Sequence, residues 1–272
     1  MIDCLPVRET PALDIDPAWR ALQDLARAEA ARDPLLRSFL DAAVLSHPDL
    51  GHALAALLAD LLANRHLDAA RLRTLILDIY ADAPGLVRAA QSDLDAVAAR
   101  DPATRDPLAP LLFYRGYRAL QSQRIAHWLW GRERHALALW VQSRSVELFS
   151  IDIHPAARIG ERVMLDHGTG IVIGETAVIE DDVSILHGVT LGGTGKAAQD
   201  RHPKVRRGVM IGAGAKVLGN IEVGEGARVA AGSIVLKPVP PHATVAGVPA
   251  REVERVGNIW PALDMRQTLV TE

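Results

Sequence analysis

The second half of the chain repeats an aliphatic residue every six positions. Mainly Ala, Val, Thr or Ser stands four positions after each of these anchors. The anchors fall in three blocks: Ile153, Ile159 and Leu165; Ile173, Ile179, Ile185 and Leu191; and Val205, Ile211, Val217, Val223, Val229 and Val235. A period of six is typical of a parallel β-helix, in which each hexapeptide forms one flat side with its aliphatic residue pointing inward.

A doubly wound α/β sheet is the alternative architecture for such a stretch. It needs helices of about ten or more residues between its strands, and the segment 171–235, rich in glycine and β-branched residues, offers none. Glycines directly follow several anchors, where a corner of the coil could use positive φ angles. These glycines are Gly160, Gly174, Gly192, Gly212 and Gly224.

Two interruptions break the period of six. Leu165 and Ile173 are eight residues apart, and Leu191 and Val205 are fourteen apart. The longer interruption predicts a loop that leaves the coil over 192–204. Loops mounted on a rigid scaffold often carry function, so both interruptions are candidate sites.

The first half of the chain shows a helical period instead. Two sets of apolar residues each share one helix face: Leu54, Leu57, Leu58, Leu61 and Leu62, and Leu72, Leu75, Ile76, Ile79 and Tyr80. Further helices are expected over about 18–31, 34–46, 84–99 and 110–144, with an N-cap at Asp33 followed by Pro34.

The chain is therefore predicted to be an α+β protein of two domains. We expect a helical domain over 1–150, which points to packing and assembly, and a β-helix over 151–256. A flexible C-terminal tail is expected over 257–272. The length of 272 residues, 49% hydrophobic content and formal net charge of −3 fit a soluble two-domain protein.

Composition also narrows the partners and the compartment. The nearly balanced charge without a basic run argues against nucleic acid. No apolar run reaches the ~18–20 residues that span a bilayer, and the N-terminus does not resemble a signal peptide. The single cysteine, Cys4, excludes an internal disulfide and predicts a cytoplasmic protein.

His167 stands out among the ten histidines. It lies between Asp166 and Gly168 at the first interruption, and Asp152 would be within reach if successive sides of the coil stack. A histidine held by a carboxylate is the usual arrangement of a general base, because the carboxylate fixes the tautomer and stabilises the imidazolium. The other interpretation is a solvated pair at a corner, and the pattern leaves both open.

Arg201 and His202 form a second candidate cluster, on the predicted loop. The planar guanidinium of arginine can hold a carboxylate with two parallel hydrogen bonds, and a histidine beside it could contribute a third. Solvated loop charges are the alternative interpretation.

Six segments together closely resemble the serine O-acetyltransferase family. The resemblance runs from about residue 80 to 256, and within the helical domain residues 100–102 and 127–130 carry it. The segments are Asp152–Pro155, Leu165–Gly170, Gly174–Thr176, Leu191–Lys196, Asp200–Lys204 and Gly247–Arg251.

The resemblance implies a left-handed β-helix that transfers acetyl from acetyl-CoA to the hydroxyl of L-serine. By this likeness His167 is the general base and Asp152 orients it. Asp101 and Asp166 receive the serine ammonium group, and Arg201 and His202 hold its carboxylate.

The same resemblance implies further partners. The CoA arm would lie along the coil near Gly193, Ala213, Arg228 and Ala231, and L-cysteine would compete with serine as a feedback inhibitor. The family forms trimers or pairs of trimers with sites between neighbouring subunits. A complex with O-acetylserine sulfhydrylase is not expected, because the given sequence ends in Glu272 and not in the isoleucine that the partner recognises.

Three other functions remain open. One is another hexapeptide acyltransferase, and a second is a non-catalytic β-helical scaffold. The third is a zinc lyase of the γ-carbonic anhydrase type, because His167 and His187 each follow an anchor by two residues and should stack one coil apart. Zinc would need a third ligand, for which His202 is a candidate without support from the pattern, so no metal is expected.

Overall fold

The computed structural model describes residues 16–195, 198–255 and 260–265. Within the described residues, none of the helices is long and apolar enough to cross a membrane. A 3₁₀ turn at Pro34–Leu36 and a π-helical turn at Asp41–Leu45 flank the short second helix. The helices of the first half are α1 (Pro17–Arg32), α2 (Arg37–Leu40), α3 (Leu50–Leu62), α4 (Ala69–Asp82), α5 (Gly85–Arg100), α6 (Leu108–Phe113), α7 (Arg115–Gly131) and α8 (His135–Phe149).

Local sequence explains where these helices begin and end. The two helices predicted from leucine spacing are confirmed as α3 and α4. The predicted run over 110–144 is divided into α6, α7 and α8, because the backbone is extended at Tyr114 and takes a positive φ of 58° at Glu133. Four aspartates accept hydrogen bonds from first-turn N–H groups that a helix start leaves free: Asp16, Asp33, Asp49 and Asp68.

The second half is a parallel β-helix of about five turns with three faces. Sheet A contains β1 (Asp152–Ile153), β4 (Val172–Ile173), β7 (Thr190–Gly192), β10 (Lys216–Leu218) and β13 (Ile234–Val235). Sheet B contains β2 (Arg158–Ile159), β5 (Val178–Ile179), β8 (Lys204–Val205) and β11 (Glu222–Val223). Sheet C contains β3 (Met164–Asp166), β6 (Ser184–Leu186), β9 (Met210–Ile211), β12 (Arg228–Val229), β14 (Ala243–Gly247) and β15 (Ala250–Arg255).

The strand register gives the length of each coil. In sheet A, Val172 pairs with Thr190 and Lys216 pairs with Ile234, which is a step of three hexapeptides. Asp152 pairs with Val172, so the first interruption lengthens its coil by two residues. Thr190 pairs with Lys216, so the second lengthens its coil by eight. Both predicted interruptions are confirmed as insertions that leave the stacking of the anchors intact.

The glycines that follow the anchors permit close packing between coils. A Cβ at Gly212 would lie 2.6 Å from the backbone nitrogen of Ala231, and one at Gly160 would lie 2.3 Å from Oδ1 of Asp181. The prediction that these glycines use positive φ is wrong, because the next coil lies directly against them. Four of the glycines at positive φ stand instead at the corner between sheets C and A: Gly170, Gly188, Gly214 and Gly232.

Buried ion pairs join the helical half to the coil. Arg124 on α7 donates to Asp93 on α5 at 2.7 Å and to the carbonyl oxygen of Gly160 at 2.7 Å. Arg100, at the end of α5, donates to Asp182 on the coil at 2.9 Å. All four charged side chains are less than a tenth exposed. Because removing one partner of a buried pair is costly, these contacts fix the end of α5 against the coil.

Part of the C-terminal segment is docked on sheet C. A short helix, α9 (Pro261–Asp264), buries Ala262, whose carbonyl oxygen accepts from Ser184 Oγ at 2.9 Å. Within the predicted tail over 257–272, residues 260–265 make apolar contact with sheet C. The remainder of that predicted tail lies outside the described residues.

Candidate active site

The first interruption forms a corner between sheets C and A that carries Asp166 and His167. Strand β3 ends at Asp166, and the backbone of His167 takes a positive φ of 54°. This conformation is uncommon for a residue with a side chain, and such residues cluster at functional sites. The His167 side chain is 77% exposed, and its Nε2 lies 3.9 Å from Asp166 Oδ1. The imidazole is therefore directed away from the core, as a general base requires.

His187 occupies the same corner one coil further on. Leu165 pairs with Ile185, and the ring centroids of His167 and His187 lie 5.9 Å apart with their planes inclined at 81°. The prediction that His167 and His187 stack one coil apart is confirmed, and their rings meet edge to face.

A cavity of about 280 Å³ opens beside His167, between the helical half and the coil. Asp101, Tyr114, Arg115 and Asp166 line it together with His167. Burial raises the pKa of Asp166, the nearby His167 opposes that rise, and the Asp101 carboxylate adds to it. Two carboxylates in one cavity favour a positively charged group between them, because it relieves their mutual repulsion.

The structure therefore brings three predicted site residues into one cavity: Asp101, Asp166 and His167. Sequence reasoning missed Tyr114 and Arg115. The only available signal was their position at the break between α6 and α7, which the apolar period did not reveal.

Arg201 and His202 lie at a different corner, between sheets A and B. Arg201 Nη2 donates to Glu175 Oε2 at 2.6 Å, and the backbone N–H of Thr176 donates to His202 Nδ1 at 3.1 Å. A Cβ at Gly174 would lie 2.1 Å from the His202 ring. These contacts hold the two residues on the coil, so this end of the predicted loop is not free. Glu175 and Thr176 become recognisable as partners only when the coil register is known.

The second corner pairs a positive and a negative side chain, Arg201 and Glu175, beside the imidazole of His202. The hydrogen bond from Arg201 lowers the pKa of Glu175, so this carboxylate stays ionised at neutral pH. Burial and the Arg201 charge lower the pKa of His202, so its imidazole is neutral there. A neutral histidine next to a guanidinium can donate or accept one hydrogen bond while the guanidinium supplies the charge.

Asp152 is not hydrogen-bonded to His167 within the described chain. Its Oδ1 accepts from Gln142 Nε2 on α8 at 2.6 Å. Strand β1 places Asp152 on sheet A, which separates the corner of His167 from that of Arg201. The dyad of Asp152 and His167 therefore stays a prediction.

The corner that carries His167 continues along the coil as a straight ladder of backbone hydrogen bonds. Each rung joins the carbonyl oxygen of one coil to a glycine N–H of the next at 2.8 Å. The rungs run from Gly188 N to Thr169 O, from Gly214 N to His187 O and from Gly232 N to Ala213 O. This ladder forms a continuous edge that leads away from the two histidines.

The four predicted CoA contacts fall in three places. The carbonyl oxygen of Ala213 accepts the last rung of the ladder, from Gly232, and Ala231 directly precedes that glycine. Gly193 lies at the other corner, where a Cβ would be 3.3 Å from Arg201 Cγ. Arg228 is only 7% exposed and donates to Glu254 Oε2 at 2.7 Å, so its guanidinium is engaged within sheet C.

In the part of the chain that the structure describes, no three His, Cys, Asp or Glu side chains form a group that could hold a metal ion. His202, the candidate third zinc ligand, lies at the other corner from His167 and His187. Among the described residues of one chain, His167 and His187 therefore have no third ligand beside them.

Comparison with known proteins covers both halves of the chain. The family model for the N-terminal region of serine acetyltransferase matches residues 18–122, and that for the bacterial transferase hexapeptide matches residues 202–237. A serine acetyltransferase of Salmonella typhimurium is 53% identical over 257 residues, covering 94% of each chain. The crystal structure of serine acetyltransferase from Vibrio cholerae has a TM-score of 0.91 and 53% identity, covering 92% of this chain and 97% of that one.

Other solved relatives carry small molecules. A serine acetyltransferase in complex with cysteine has a TM-score of 0.91 and 52% identity, covering 93% of this chain and 98% of its own. One from Brucella abortus in complex with coenzyme A has a TM-score of 0.88 and 48% identity, with coverages of 89% and 97%. A soybean serine acetyltransferase complexed with serine has a TM-score of 0.86 and 48% identity, with coverages of 89% and 100%. With identities of about half over nearly the whole chain, this protein belongs to the serine acetyltransferase family.

Proposed function

We propose that this chain transfers the acetyl group of acetyl-CoA to the hydroxyl of L-serine, giving O-acetyl-L-serine and CoA, with His167 as the general base. The observation that carries the proposal is the cavity in which His167 meets Asp101 and Asp166. Two carboxylates suit the ammonium group of an amino acid, and the exposed imidazole beside them suits a hydroxyl that must lose a proton. The relatives solved with serine and with coenzyme A support both substrates.

The chemistry is direct transfer. His167 removes the serine hydroxyl proton as the oxygen attacks the thioester carbonyl carbon, because a neutral hydroxyl is a weak nucleophile. The tetrahedral intermediate collapses when its C–S bond breaks. The CoA thiolate leaves and takes the proton from the His167 imidazolium, which restores the base. Asp101 and Asp166 hold the ammonium group, so that the hydroxyl faces His167.

We place the serine carboxylate on Arg201 and His202 of a neighbouring copy. Within one chain these residues stand at the corner between sheets A and B, whereas His167 stands at the corner between sheets C and A. If several copies pack their coils side by side, the corner between sheets A and B of one copy can meet the corner between sheets C and A of the next. The same packing would bring Asp152, on sheet A, towards the His167 of a neighbouring copy. A trimer, alone or paired with a second trimer, is the assembly that this arrangement favours.

The remaining assignments follow from the same site. The CoA arm lies along the ladder that leads from His167 past Ala213 and Ala231, with Gly193 and Arg228 as weaker contacts. L-Cysteine carries the same ammonium and carboxylate groups as serine, so it competes for that site as a feedback inhibitor. The relative solved with cysteine supports this assignment. The protein acts in the cytoplasm, and its helical domain contributes Asp101 to the serine site.

The activity is tested by CoA release from acetyl-CoA with serine, homoserine, a galactoside or no acceptor in parallel. We expect serine to be the preferred acceptor. The variant His167→Ala should lower kcat by at least the ~10²-fold typical of a general base, and Asp152→Asn should cost less because it disturbs only the orientation of the base. Preference for another acceptor, or a minor loss in His167→Ala, would contradict the proposal.

Mixing two impaired variants tests the shared site. His167→Ala and Arg201→Ala proteins, unfolded and refolded together, should form assemblies in which some sites combine two intact faces. At a serine concentration well below the KM of the Arg201→Ala protein, the mixture should therefore be more active than either variant refolded alone. A mixture no more active than its components would place the whole site within one chain.

A further inference from the structure

Both carboxylate oxygens of Asp101 accept hydrogen bonds from neighbouring residues of the protein. The backbone N–H of Ala103 donates to Oδ1 at 2.8 Å, and the hydroxyl of Thr104 donates to Oδ2 at 2.9 Å. The segment turns sharply after α5, since the N–H of Thr104 also donates to the Asp101 carbonyl oxygen at 3.0 Å. Each oxygen keeps a further lone pair for a ligand, because a carboxylate can accept about four hydrogen bonds.

A second hydroxyl extends this contact. Tyr114 OH lies 3.0 Å from Thr104 Oγ1. A threonine hydroxyl has a single proton, and Thr104 gives its proton to Asp101, so Tyr114 must be the donor to Thr104. The result is a directed chain of hydrogen bonds from Tyr114 through Thr104 to Asp101.

This chain of hydrogen bonds connects two walls of the same cavity. Asp101 follows α5, whereas Tyr114 stands between α6 and α7, and both line the cavity that contains Asp166 and His167. The hydrogen bonds therefore fix the Asp101 side chain relative to the α6–α7 junction. A carboxylate already held in one orientation loses less conformational freedom when it binds a ligand.

We infer that Thr104 and Tyr114 are positioning residues that orient Asp101 toward the ammonium group of the acceptor and thereby set the preference for amino-acid hydroxyls. The inference rests on the proposed function and deepens it. Neither hydroxyl needs to touch the reacting atoms. Their contribution is to the binding of the charged amino group and leaves the acetyl donor unaffected.

The test separates the two substrates in steady-state kinetics. Thr104→Val removes the hydroxyl at nearly constant shape, so the KM for serine should rise about 3- to 10-fold, the range expected for one hydrogen bond, while the KM for acetyl-CoA stays unchanged. Thr104→Ser keeps the hydroxyl and should restore the wild-type KM for serine. Tyr114→Phe removes the hydroxyl that donates to Thr104 and should raise the KM for serine by a smaller factor than Thr104→Val does.

An acceptor without an amino group provides the matched control. For 3-hydroxypropionate, which has the hydroxyl and carboxylate of serine but no ammonium group, kcat/KM should be the same in wild type and Thr104→Val. Equal losses for both acceptors, or a Thr104→Ser variant as impaired as Thr104→Val, would overturn the inference. A wild-type protein that does not acetylate serine would instead overturn the proposed function, and the inference with it.

Discussion

Replacing Gly116 with alanine should separate α7 from the coil next to the corner that carries Asp166 and His167. A Cβ at Gly116 would lie 1.9 Å from the carbonyl oxygen of Leu165 and 2.9 Å from its carbonyl carbon. The same helix position also faces Gly168, whose own Cβ would lie 3.2 Å from Gly116 Cα. The new methyl group would therefore push directly on the backbone of Leu165, immediately before Asp166 and His167.

The geometry sets the size of the effect. Ordinary van der Waals contact begins near 3.4 Å, so helix and strand must part by roughly 1.5 Å, and a backbone carbonyl cannot rotate away as a flexible side chain can. Overpacking of this kind costs about 1–3 kcal/mol, and we expect the upper end of that range. A displacement of about 1 Å near the reacting atoms can lower activity by ~10²-fold.

The assay combines thermal unfolding with CoA release. Gly116→Ala should lower Tm by about 6–12 °C for a loss of ~3 kcal/mol in a chain of this length, and kcat/KM should fall by one to two orders of magnitude. Gly131→Ala is the control on the same helix, because a Cβ there meets no atom within 4 Å. A Gly116→Ala protein with wild-type Tm and kcat/KM, or a control that loses as much, would refute the reasoning.

Two further outcomes follow from the geometry. Arg201→Ala should raise the KM for serine by about 10- to 100-fold and leave that for acetyl-CoA nearly constant, and equal effects would assign Arg201 to the CoA side. Arg124→Met should lower the free energy of unfolding, measured in urea, by ~3–5 kcal/mol, because it leaves the buried Asp93 carboxylate unpaired. Arg132→Met, which removes an exposed ion pair, is the control and should lower it by less than ~1 kcal/mol. Similar losses in the two variants would contradict the assignment of Arg124 to a buried network.

Repetition made much of the fold predictable from residue spacing. A period of six dictates which side chains face inward, and the structure places the anchors of successive coils side by side, as with Leu165 and Ile185. Counting from those anchors was enough to stack His167 on His187, because each coil adds a fixed number of residues and insertions project outward. Leucine spacing located α3 and α4 for the same reason: one face of each helix must be buried.

Contacts between distant segments could not be read from spacing. Spacing predicts positive φ at the glycines after the anchors, but the close approach of the next coil explains these glycines, and that approach depends on packing. Arg201 was placed on a free loop, whereas Glu175 and Thr176 of the preceding coil hold it and His202 in place. Asp101 joins Asp166 because buried pairs anchor the end of α5 to the coil, and the helical sequence carries no periodic signal of that docking. Local periodicity determines which face of an element is buried. Which element covers that face depends on long-range packing, and the cavity beside His167 arises from that packing.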